Sequence, residues 1–187
     1  YSLASQQKDV DAILHLGDFI YEYGRDGYAS EQAEELAREV LPEHELISLQ
    51  DYRTRYAQYR TDMNLQKLCH SAPLIAVWDD HEVTNDAYKD GAENHQANEG
   101  SYLKRKAAAM RAYFEWMPIR ESTDAANEMI NRSFKFGELL ELHMLDTRNI
   151  GRDRQMNYAN YIDPETGVFD TNLFSSDLTD SDRTLLG

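Results

Sequence analysis

One cysteine, Cys69, occurs in the whole chain of 187 residues, which excludes an intrachain disulfide and leaves the redox compartment open. Positive charge is also scarce. With 19 Lys plus Arg against 34 Asp plus Glu, the formal net charge is -15, which disfavours an unassisted hold on nucleic-acid phosphates or anionic lipid. No nucleic acid is therefore expected as a structural partner. A generally acidic exterior accounts for most of that charge and leaves a few carboxylates for cations. No run approaches the ~20 apolar residues of a membrane span, and 1–7 has neither the charged nor the apolar region of a signal peptide, so the chain as it stands is expected to be soluble. Internal repeats, linkers and low-complexity segments are missing as well.

What is present suits one domain, or a large piece of one, able to bury roughly 70% of the surface its unfolded form exposes. Residues 10–16 are branched and apolar and stop at Gly17, the pattern of a fully buried parallel strand with 18–21 as its exit loop. A second such strand spans 74–78, opened by Pro73 and ended by Asp79. Apolar spacing predicts a helix over 31–41, an excursion above the crevice with Ser30 as cap and Pro42 as stop. Another is predicted over 49–59, where Ser48 and Asp51 form a capping-box pattern and the tyrosines are expected to pack. A third covers 102–116, with either Ala108, Ala112 and Trp116 or Leu103, Ala107, Met110 and Phe114 as its buried stripe.

The polar stretch 85–100 reads as a mobile loop over the site. Residues 134–136 and 139–145 read as strands paired across Gly137 and Glu138, delivering Asp146, Thr147 and Arg148 at the end. His15 and His143 fit core histidines. Beyond Arg148 the chain turns polar, with no closing element in view.

Both apolar runs end in ligand-type side chains. Open α/β sheets bind ligands at the carboxyl ends of their strands, so Asp18, Tyr21, Asp80 and His81 would meet in one crevice, a set that suits a cation. Four titratable residues in a row, Asp79-Asp80-His81-Glu82, are costly to hold after a buried strand without partners. The zinc-protease pattern His-Glu-x-x-His fails here, because Asn85 stands at the second His and the context is strand-to-loop. Tyr21 would be a ligand only for a strong Lewis acid such as ferric iron.

Three strings, Leu16-Gly17-Asp18-Phe19-Ile20-Tyr21-Glu22, Val77-Trp78-Asp79-Asp80-His81-Glu82-Val83 with Asn85, and Glu141-Leu142-His143-Met144-Leu145-Asp146-Thr147-Arg148, resemble the PhoD-type alkaline phosphatase and phosphodiesterase family in kind and order. Gly-Asp-x-x-Tyr is shared with purple acid phosphatases. The resemblance implies an α/β fold, part of an αββα metallophosphoesterase sandwich, and hydrolysis of small phosphate esters by metal-activated water. It also implies a ferric ion (Fe3+) with one or more divalent ions, often Ca2+, and a periplasmic or secreted location. Residue by residue, Asp18 matches the metal-bridging carboxylate, Tyr21 the iron-binding phenolate, and His81 a group beside the phosphate. Either Asp80 or Asn85 serves the second metal. Arg148 has the guanidinium fork to steady a phosphate by bidentate hydrogen bonds, the alternative being a salt bridge with Asp146 or Asp153.

Two parts of the family pattern are missing: an upstream strand bearing an early ligand, since only 17 residues precede Asp18, and a late His-x-His segment. On this reading 1–187 is the central part of a single catalytic domain, inactive alone. The rival reading is a non-catalytic remnant or an acidic protein-interaction domain. The oligomeric state is open.

Overall fold

The computed structural model describes residues 1–120 and 130–186. Strand β1 (Ile13–His15) pairs in parallel with β2 (Leu74–Ala76), in the register Ile13 to Leu74 and His15 to Ala76. Both lie inside the expected strands, and the pairing puts their exits side by side. One expectation is corrected: β1 is not fully buried, because Leu14 and Leu16 turn outward while Ile13 and His15 are half-buried. In contrast, 75–78 is buried throughout.

Between the strands lie helices α1 (Leu49–Tyr59) and α2 (Met63–Ser71). The Ser48–Asp51 capping box forms as expected, with the Asp51 carboxylate accepting the Ser48 amide at 2.7 Å. Tyr52 and Tyr56 are fully buried, the packing role their spacing suggests. Helix α2 was not anticipated. Its signal is Asp62, whose carboxylate caps the amides of Asn64 and Leu65, followed by buried Leu65 and Leu68.

The predicted helix over 31–41 does not form. Turns occupy 31–37, Ala37 sits at φ 51, and the amide of Arg38 reaches back five residues to Ala33. A short helix in water needs a face to bury, and Leu36 is exposed here. What fixes the segment is a neighbour: the buried guanidinium of Arg55 donates to the carbonyls of Leu41 and Pro42 on one side and of Tyr21 and Tyr23 on the other.

Helix α3 (Tyr102–Trp116) has its expected bounds and packs on α1. Its buried stripe is Tyr102, Arg105, Ala109, Ala112 and Tyr113 with Met110, so only Ala112 of the first expected set and Met110 of the second are fully buried, and Leu103 faces out. Strands β3 (Arg132–Phe136) and β4 (Leu140–Met144) form the expected hairpin, antiparallel, with Gly137 at φ 60 in the turn. His143 is corrected from a core residue to an exposed one, its ring bonded to the opposite Ser133 hydroxyl at 2.7 Å. Near the end, α4 (Thr171–Leu178), capped by Asp170, closes over Tyr158, Tyr161 and Phe169 through Phe174. The result is an α/β fold whose described strands form two sheets of two.

Candidate metal centre

Gly17 is the point where the two strand exits touch. It has φ 106, and a Cβ there would lie 2.3 Å from the Asp79 backbone nitrogen and 2.8 Å from the Trp78 carbonyl carbon. Across this contact Glu82, buried, braces both loops: its carboxylate accepts the amide of Asp79 at 2.7 Å, of Asp18 at 3.1 Å and of Phe19 at 2.5 Å. Burial pushes Glu82 up to about 7, while those three N–H groups favour its charged form.

The brace brings Asp18, Asp80 and His81 together. Each offers one ligand atom, and these atoms lie within 4.8 Å of one another at the carboxyl ends of parallel strands, as the sequence led one to expect. Asp18, at φ 55, has one buried carboxylate oxygen, Oδ1, with no hydrogen-bond partner among the described residues; the other accepts the Tyr21 hydroxyl at 3.1 Å. Burial raises the Asp18 pKa, His81 opposes this and Asp80 adds to it. Tyr21 is pushed up to about 12, by burial first and by Asp18 second. An orphaned carboxylate oxygen beside a second carboxylate and an imidazole is a donor set that fits a hard cation.

His81 is aimed by Glu22, a residue quoted in the first string but given no role there. Glu22 is fully buried, and its Oε2 lies 2.7 Å from His81 Nδ1. Its Oε1 accepts the Asn85 amide and the Asn94 side chain, both at 2.8 Å, and the Thr84 hydroxyl at 3.1 Å. Burial alone would raise the Glu22 pKa, but these bonds hold it below the ordinary range. Burial likewise works against a charged His81, yet Glu22 outweighs it and raises the imidazole above its usual value. The Glu22 partners lie far along the chain, so no local pattern could have shown them.

Asn85 and Arg148 sit less simply. The Asn85 side-chain nitrogen donates to Glu93 at 3.0 Å, and its backbone is tied to Glu22 and Asn94. Arg148 does form salt bridges, but with other partners than the two named above. Its Nε meets Asp79 at 2.6 Å, while NH2 and NH1 lie 3.5 Å from Asp80 and Asp86. Asp146 accepts the backbone amides of Arg148 and Asn149, and Asp153 pairs with Lys89. Loop 85–100 is pinned by buried Arg105, which reaches the Asn94 carbonyl, Glu99 and Glu45, so its placement depends on protein contacts.

An α/β fold with two carboxylates and a histidine converging at its strand ends carries a group that could hold a metal ion. The chain belongs to the PhoD-like phosphatase family, whose family model matches residues 1–187. It is similar to alkaline phosphatase D of Bacillus subtilis (strain 168), 40% identical over 157 residues that cover 82% of this chain and 26% of that protein. It is also similar to a solved structure of PhoD, with a TM-score of 0.72 and 38% identity over 84% of this chain and 29% of that one. The chain thus spans about a quarter of the length of the curated relative it matches. Among the described residues no helix is long and apolar enough to cross a membrane.

Proposed function

We propose that this chain is the central part of the catalytic domain of a metal-dependent phosphoric ester hydrolase, with Asp18, Tyr21, Asp80 and His81 in its floor. The convergence of Asp18, Asp80 and His81 is the observation that carries this reading. By the family resemblance Asp18 and Tyr21 would hold a ferric ion, since a tyrosine yields its proton near neutral pH only to a strong Lewis acid. Asp80, whose carboxylate lies beside Asp18 and His81, would hold a divalent ion such as Ca2+, and the Asn85 side-chain oxygen, left free by the bond its amide nitrogen makes to Glu93, is a second oxygen donor of the same hard kind. Bound ions of this kind polarise a phosphoryl group and make water nucleophilic near pH 7.

The chain's own residues do the rest. With Nδ1 facing Glu22, His81 presents Nε2 to donate a hydrogen bond or proton to a phosphate oxygen or to the departing alcohol. Asp79 fixes Arg148 through its one short bond, and the long contacts of NH1 and NH2 leave that fork able to shift onto phosphate. The substrate is a small phosphate ester, and the family resemblance favours a periplasmic or secreted enzyme. The full-length protein is expected to hydrolyse an aryl phosphate ester, to stop when its metals are chelated, and to recover when they are returned. Turnover unchanged after verified metal removal would overturn the metal dependence; metal bound without hydrolysis would favour the remnant.

A further inference from the structure

Beside the metal centre, under the 31–37 turns, lies a cavity of about 470 Å³ that shares Tyr21 with the site. Ligand pockets commonly enclose roughly 300–1,000 Å³, so the space suits a small organic group. Its wall is a run of rings. Tyr28 stacks on Tyr21 with centroids 5.5 Å apart at 22°, and Tyr21 lies 4.3 Å from the His81 ring. Tyr23 completes the corner, 6.1 Å from Tyr28 and 5.7 Å from His81. Arg55, which ties the Tyr21–Tyr23 loop to Leu41 and Pro42, lines the same space, so the two walls are fastened to one side chain.

Tyr28 is 70% exposed, so most of its ring stays open to a ligand while it stacks on Tyr21. The charges around the cavity do not suit an anion, since Arg25, Arg38 and Arg55 are set against Asp26, Glu34 and Glu39. An uncharged planar group is the better fit. We propose that this cavity seats the alcohol part of the phosphate ester and that Tyr28 selects a planar ring there. The proposal rests on the phosphatase reading above, since it is the ester phosphate at Asp18, Asp80 and His81 that would carry its alcohol along the ring wall.

Benzyl phosphate and cyclohexylmethyl phosphate test it, being alike in size and in the basicity of the alcohol released but differing in planarity. In the full-length protein, Tyr28→Ala is expected to lower kcat/KM, mainly through KM, by up to ~10-fold more for the benzyl ester than for the cyclohexylmethyl ester, the scale of one lost aromatic contact beyond the area both esters bury. Tyr28→Phe should retain the preference. Equal losses on both esters, or none on either, would overturn the proposal. If the wild type hydrolyses neither these monoesters nor the corresponding phenyl diesters, the phosphatase reading has failed, and calorimetry with benzylphosphonate decides the cavity separately. Binding weakened by Tyr28→Ala would support a ring site; binding indifferent to it, or none in the wild type, would overturn it.

Discussion

Replacing His81 by alanine in the full-length protein is expected to lower kcat on an aryl phosphate ester by at least ~10²-fold, the lower end for a positioned acid-base group, with metal content largely kept. The geometry gives the reason. His81 is held through Nδ1 by Glu22 at 2.7 Å, and Glu22 is itself fully buried and bonded to Thr84, Asn85 and Asn94. That shell fixes the ring plane and leaves Nε2 as the nitrogen not bonded to Glu22, in a ring that lies beside Asp18 and Asp80. Alanine removes the donor and leaves both carboxylates in place. Elemental analysis of the same preparation separates the roles: activity lost with metal retained makes His81 the proton donor, whereas activity and metal lost together make it a ligand. Full activity would leave it with neither role.

The largest effect on stability is expected from Gly17→Ala, a change of one methyl group. At φ 106 an L side chain is strained, and the added Cβ would stand 2.3 Å from the Asp79 nitrogen and 2.5 Å from the Asp79 Cβ. Backbone cannot swing aside as a flexible side-chain tip does. Strain of about 1–2 kcal/mol at that dihedral, added to about 1–3 kcal/mol for overpacking, gives a loss of about 2–5 kcal/mol. Because relief comes only by parting the two strand exits, the Glu82 bonds that span them would be pulled apart too. Denaturant unfolding of the variant measures the loss. A midpoint equal to the wild type would mean that the exits are not in contact at Gly17.

Features carried by short-range patterns were legible in the sequence, and those carried by remote partners were not. The apolar runs ending at Gly17 and Asp79 located two parallel strands, and with them the convergence of Asp18, Asp80 and His81. Helices α1 and α3 followed from capping and periodicity. The same periodicity misled over 31–41, because spacing says nothing of whether a neighbour exists to bury the face. There, Arg55 organises turns instead. His143 was misjudged for a related reason: it faces away from the core in its hairpin and bonds a cross-strand serine. Glu22 and Glu82 stood in the quoted strings, yet their work depends on amides and rings brought in from the other strand exit or from the following loop. For Arg148 the sequence offered phosphate binding or a salt bridge with Asp146 or Asp153, and its partners Asp79 and Asp80 come instead from the other strand exit, which spacing does not reveal.

Elemental analysis of the full-length wild type beside Asp18→Asn tests the central claim most directly. Asp18 has a buried carboxylate oxygen without a hydrogen-bond partner among the described residues, while its backbone amide is held independently by Glu82, so the variant changes the charge and keeps the loop. The account predicts stoichiometric iron and a divalent metal in the wild type, and loss of most of that iron in Asp18→Asn. Metal content unchanged by the substitution would contradict it.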